Sequence, residues 1–358
     1  MSQEKIFVEN RSQAVVIIKN IFCSRLDNRF GLHASDPLDY HCKQHSQRVA
    51  LWTRKGLETI RSVAPDLVSL EDFDLGEIEG LGHDLVQKSF KDPAKWRNSW
   101  RGYKDQDISP LHRARGVTVG NERASADEIL EELSRFVYQD KSFVFPVDED
   151  EWRASIMADI GATYPVFERL SDGASKVFQP YLVPKISLCG LCLANADLRS
   201  DLANCDTRAF HESGDALLRE LWFELTERMR HNGVEGISHA ERCLIVEQIL
   251  DWMRSQAGFA REQEGLFLDS LDQNIILNAH PKAWHIKQAL CRLYGLPLTV
   301  GELMGNFHNN IAAARMRYVE EDHYGSLADT DRRRHNLMNI NDHAFRRLLH
   351  QVGYKVPA

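Results

Sequence analysis

Apolar positions recur at spacings of three and four along most of the chain, the periodicity that lays a stripe down one face of a helix. Val49, Trp52 and Leu57 follow such a stripe, and so do Ile129, Leu130, Leu133 and Val137. Three pairs read as capping boxes: Ser69 with Asp72, Ser125 with Glu128, and Thr299 with Glu302. In each, an oxygen side chain satisfies an open N–H of the first helical turn. Residues 141–146 (KSFVFP) are the one stretch that reads as extended. The pattern predicts an all-α fold.

No internal repeat or low-complexity segment interrupts this pattern. The turn-rich, polar stretch 231–238 (HNGVEGIS) suggests a boundary, with a domain over 1–230 and an additional C-terminal helical region over 231–358. Residues 91–119 are polar and basic and include Trp96 and Trp100. Lying between two of the motifs described below, they suit a lid or substrate loop.

Composition narrows the class. With 358 residues, 43% hydrophobic and 27% charged, the chain is balanced for a globular protein with a large core. Its net charge of −8 gives no general attraction for nucleic acid. The opening MSQEKIFVENR has no apolar core behind a basic end, so no signal peptide is expected. The early apolar run 14–18 is too short to span a bilayer. These features lead us to expect a cytoplasmic protein with no membrane association. The seven scattered cysteines read as reduced thiols. Cys189 and Cys192 have the spacing of half a zinc site, but no second pair follows, so we read them as small buried hydrophobes. The chain lacks a phosphate-binding loop, a nucleophile elbow and a dinucleotide fingerprint.

Three separated pieces carry metal-binding chemistry. Tyr40-His41-Cys42-Lys43-Gln44-His45 opens a helical pattern, so His41 and His45, four apart, are expected on one helix face. Gly82-His83-Asp84 follows Leu75, Ile78 and Leu81. Ala194-Asn195-Ala196-Asp197-Leu198 ends an apolar run that starts at Ile186. Imidazole nitrogens and carboxylate oxygens bind Mn, Co, Ni, Zn or Fe, and the carboxylates also suit Mg. Asp197 in an apolar helix is costly unless it is paired or bound to a cation. A chance His-Asp pair and ordinary capping or solvated side chains are the alternative reading.

The ordered set His41-x-x-x-His45, His83-Asp84 and Asp197 resembles the HD superfamily of metal-dependent phosphohydrolases. Gly120-Asn121-Glu122-Arg123-Ala124-Ser125-Ala126 adds to it. That segment is similar to the Asn-Glu-x-x-Ser-Ala stretch of a bacterial branch described as predicted HD phosphohydrolases. The resemblance covers roughly residues 35–230, the size of one domain. It implies an HD-type helical bundle in which His45, His83, Asp84 and Asp197 hold one divalent metal ion. It implies hydrolysis of a nucleotide or other small phosphate ester by a metal-bound hydroxide. Asp84 would hold the metal and orient the nucleophile. His41 matches a proton donor to the leaving group, although a helix-start histidine facing water fits as well. Glu122 is either a supporting catalytic residue or part of the turn, and Ser125 reads as a helix cap. Lys91, Lys95, Arg97, Arg101, Lys104, Arg113 and Arg115 would neutralise substrate phosphate. Two other readings stay open: a di-iron HD-type oxygenase, and a non-catalytic nucleotide sensor or interaction protein.

Residues 282–317 faintly resemble a helix-turn-helix with Arg315 and Arg317 nearby, against the simpler reading of two packed helices. Arg332-Arg333-Arg334-His335 is a basic stretch that either meets phosphate or is a solvated loop.

Overall fold

The apolar stripes become helices in a computed structural model that describes residues 4–34, 37–87, 120–169, 175–200, 207–294 and 342–354. The basic side chains of 91–115, the Thr299–Glu302 box, Arg315, Arg317 and the basic stretch 332–335 lie outside the described residues.

In chain order the helices are α1 (Arg11–Phe30), α2 (Lys43–Val63), α3 (Leu70–Gly82), α4 (Gly120–Leu133), α5 (Asp150–Gly161) and α6 (Leu188–Arg199). They continue with α7 (Thr207–Leu221), α8 (Phe223–Asn232), α9 (His239–Gln273), α10 (Ile275–Ala279), α11 (Ala283–Leu293) and α12 (Asp342–Gln351). Strand content is minor. β1 (Ile6–Phe7) pairs in parallel with β2 (Phe136–Val137), Ile6 opposite Phe136. β3 (Val166–Arg169) and β4 (Ser175–Phe178) make the other two-stranded sheet. The fold is all-α, as the periodicity predicted. Val137 departs from that pattern: α4 ends at Leu133, and Val137 joins the sheet. In the KSFVFP stretch, Phe143 bridges back to Val137.

The chain divides into two compact units. One is drawn from Met1–Phe167, Val177–Asn204 and Gln263–Leu296, the other from Glu168–Lys176, Cys205–Glu262 and Pro297–Ala358. The turn-rich 231–238 stretch lies inside the second unit. That unit has its own core, which includes Leu218, Val246, Ile249, Phe345 and Leu349.

In the first unit, α2 lies against α3, α6 and α11. Leu57 and Ile60 from α2 and Ile78 from α3 are fully buried. Each contributes roughly 1.5–3 kcal/mol of hydrophobic stabilisation. Contact between α2 and α3 goes down to the backbone. A Cβ on Gly80 would stand 2.4 Å from Ala50 Cα, so only glycine fits. The capping box predicted at Ser69 starts α3: Ser69 Oγ accepts from the Asp72 N–H at 3.2 Å, and Asp72 Oδ2 accepts from the Ser69 N–H at 2.6 Å. This start and the close α2 contact fix where the last turn of α3 ends, which is where His83 and Asp84 stand.

Candidate metal centre

His45 sits in the first turn of α2 and is buried. His83 is the C-cap of α3, and Asp84 follows it into the turn. Asp197 sits near the end of α6, with its side chain 14% exposed. These four residues, far apart in the chain, converge. His45 Nε2 is 3.1 Å from Asp197 Oδ1 and 3.5 Å from Asp84 Oδ2. His83 Nε2 is 3.0 Å from Asp84 Oδ2 and 3.3 Å from Asp197 Oδ1. Candidate ligand atoms of His45, His83 and Asp84 all lie within 4.8 Å of one another.

The tautomer of His83 follows from one contact. Its Nδ1 lies 2.8 Å from the Gly80 carbonyl oxygen, which can only accept, so Nδ1 carries a proton. In the neutral ring, the Nε2 lone pair then faces two carboxylates. That arrangement is repulsive unless a proton or a cation lies between them. Although His83 Nε2 and Asp84 Oδ2 approach to 3.0 Å, neither forms a well-directed hydrogen bond, and both atoms are buried. Ligand atoms facing a common centre have this geometry, so the donor set fits a divalent cation. A backbone carbonyl holding the other ring nitrogen is also the usual support for a ligating histidine.

The electrostatics agree. Burial pushes the His83 imidazolium down, but Asp84 and Asp197 outweigh it and raise the ring well above its ordinary pKa. Burial pushes the Asp84 carboxyl up, but His83, with His41 and His45, holds it well below the usual carboxylate range. Asp197 is also lowered; burial is outweighed by His45, whose Nε2 meets Oδ1 at 3.1 Å, and by the neighbouring His83. Without metal, a proton on His83 supplies the positive charge. A cation competes for that place, so metal affinity increases as the pH rises.

His41 is not on the helix face expected for it. α2 starts at Lys43, with Cys42 in extended conformation as its N-cap, so His41 precedes the helix. A turn made by the Cys42 N–H to the Tyr40 carbonyl, at 2.8 Å, still brings the ring over the site. Its centroid is 6.0 Å from that of His45, edge-on, and the side chain is half-buried. His41 therefore sits at the rim, beside the buried ligands.

Several supporting residues went unread in the sequence or were read differently. Gln87 donates from its amide to Asp84 Oδ1. Asn121 in turn donates to Gln87 Oε1 at 3.3 Å, which ties the Asn-Glu segment to the His-Asp turn. Glu122, next to it in the first turn of α4, is buried. Ser125 is not a cap: α4 starts five residues earlier, at Gly120. Its fully buried hydroxyl accepts from the Val86 N–H at 3.0 Å and pins the turn that carries Asp84. Arg29 adds a clamp, donating to the Leu85 carbonyl at 2.6 Å and to both Glu128 oxygens. On the far side, Arg199 follows Asp197 by two residues and is fully buried. It donates to Asn195 Oδ1 at 2.7 Å and to the Gln263 carbonyl at 2.9 Å. Thr163 is a helix-end hydroxyl that donates to the Ile160 carbonyl at 2.7 Å.

Among the described residues no helix is long and apolar enough to cross a membrane. No protein-family model, curated protein or solved structure matches the chain.

Proposed function

We propose that this protein is a metal-dependent phosphohydrolase of the HD type, acting on a nucleotide or another small phosphate ester. One observation carries the reading. His45, His83, Asp84 and Asp197 meet in a buried cluster whose lone pairs and carboxylates need a proton or a cation between them, and whose donor atoms suit a metal. A divalent cation held there would acidify water and polarise a phosphoryl oxygen.

The chain's own groups divide the remaining work. The two carboxylates offset the cation's charge, and the Nδ1 contact with Gly80 keeps His83 oriented. Gln87 fixes one oxygen of Asp84, leaving Oδ2 toward the centre. His41 at the rim carries an imidazole, the side chain suited to proton donation to a departing oxygen near neutrality. Glu122, buried in the first turn of α4, would orient a water or a ligand histidine.

The test is purified protein supplied with Mn, Mg, Co, Ni or Zn against a panel of phosphate esters and nucleotides. Hydrolysis should require metal and fall to background in Asp84→Ala, whereas His41→Ala should keep the metal and lose turnover. If wild type and Asp84→Ala are equally inactive with every metal, the hydrolase reading is wrong.

A further inference from the structure

One helical turn back from His83, Glu79 also projects into the core, and it meets a different set of partners. Glu79 on α3, Asp159 on α5 and Cys189 on α6 are all buried, with exposures of 0%, 1% and 5%. A ligand atom from each lies within 4.8 Å of the other two. Cys189 Sγ stands 3.0 Å from Glu79 Oε2. Asp159 Oδ2 accepts from Ser187 Oγ at 2.6 Å. The other two carboxylate oxygens, Glu79 Oε1 and Asp159 Oδ1, are buried with no hydrogen-bond partner. Among the described residues neither carboxylate makes an ion pair with a lysine, arginine or histidine. Unsatisfied buried carboxylate oxygens are rare and call for a partner.

The backbone is cut to admit this group. A Cβ on Gly190 would stand 2.3 Å from Asp159 Oδ1, so glycine is what lets the carboxylate approach α6. Ser187 both caps α6, accepting from the Gly190 N–H at 2.9 Å, and holds Asp159, as an outer-shell group holds a ligand.

We propose that Glu79, Asp159 and Cys189 form a second metal site, holding one thiophilic divalent cation such as zinc between α3, α5 and α6. Thiolate sulfur with carboxylate oxygens is a donor set for zinc, and its borderline softness matches the mixture. Binding releases the thiol proton and any proton on the carboxyls, and the cation takes their place. The role is structural, because the site is closed and ties three helices of the first unit at one point. The paired cysteines thus have separate fates. Cys189 is a ligand, whereas Cys192 packs toward Gly56, where an added Cβ would stand 2.8 Å from its sulfur.

Cobalt distinguishes the two sites, because only the second has sulfur. The full chain is produced in cobalt-supplemented medium, so that the ion is present while the core forms. Wild type should bind two equivalents and show a near-ultraviolet thiolate-to-cobalt charge-transfer band. Cys189→Ser and the near-isosteric Glu79→Gln should each lose the band and one equivalent. Asp84→Ala should keep the band while losing the other equivalent, whatever its effect on hydrolysis. Absence of the band in folded wild type, or its persistence in Cys189→Ser, would overturn the proposal. The first result would mean that the carboxyls hold protons instead of a metal.

Discussion

Two clusters one turn apart on α3 resolve the same problem in opposite ways. Around His83, two imidazoles share a buried space with two carboxylates, and the carboxyls are held low. Around Glu79, two carboxyls and a thiol share a buried space with no imidazole. There, burial dominates: Asp159 is pushed up to about 7, and Glu79 and Cys189 are raised well above their ordinary values. Both clusters are largely buried, so burial does not decide which groups ionise. The sign of the neighbouring charge does. The first cluster can place a proton on an imidazole and keep its carboxylates ionised, whereas the second must protonate its carboxyls or take up a cation.

The largest way to test this contrast is pH. In metal-stripped protein, Asp159 stays protonated in the folded state up to about 7, while the unfolded chain ionises above 3.8. The folded state then binds more protons, so stability falls as pH rises through that window and levels off above it. The full shift corresponds to roughly 4 kcal/mol at 1.36 kcal/mol per unit. Urea denaturation of wild type and Asp159→Asn should diverge across the window, with wild type losing ground toward neutrality. Parallel curves would remove the contrast. With zinc bound the trend should reverse, because the ligands must be ionised.

A smaller effect separates what the clusters share from what they do not. Gly80→Ala puts a Cβ 2.4 Å from Ala50 Cα, backbone that cannot turn aside. The overpacking should cost about 3 kcal/mol and lower Tm by roughly 5–10 °C. It should weaken metal binding at both sites, since α3 carries Glu79 and His83. Gly190→Ala meets side chains rather than backbone, the end of Asp159 and Ile186 Cγ1 at 2.8 Å, so its metal-binding effect should fall on the second site. Calorimetry with cobalt titration of both variants reads the difference.

The sequence exposed the two clusters unequally. The helical stripes and the Ser69 box were readable because they are local: spacing and a cap need only one turn of chain. His45, His83, Asp84 and Asp197 were readable because their residue types and order resemble a known ligand set. The second cluster has no such order. Glu79 and Asp159 each look like any acidic helix residue. Cys189 was read as a hydrophobe because zinc spacing was sought among cysteines, whereas its partners are carboxylates on other helices. The same blindness affected Ser125. Its pairing with Glu128 resembles a capping box, but the hydroxyl's partner is Val86, 39 residues away.

Gln87→Ala tests the first cluster one layer out. It removes the amide that holds Asp84 Oδ1, leaving the ligand oxygen in place but less restrained. Metal affinity there should fall by roughly 10- to 100-fold, as for other outer-shell losses. The cobalt–thiolate band should be unchanged. Equal losses at both sites would mean that Gln87 supports the helix rather than the ligand.

Ser125→Ala is the mildest probe and depends on a single hydrogen bond. Its hydroxyl is the acceptor for the Val86 N–H, two residues beyond Asp84, at 3.0 Å. Alanine leaves that N–H without its acceptor, which should cost about 1 kcal/mol in urea denaturation. The turn is also held by Arg29 through the Leu85 carbonyl, so Asp84 should shift little and metal affinity should change less than in Gln87→Ala. A loss of metal comparable to that of Gln87→Ala would show that the backbone clamp, rather than the amide on Asp84, sets the ligand geometry.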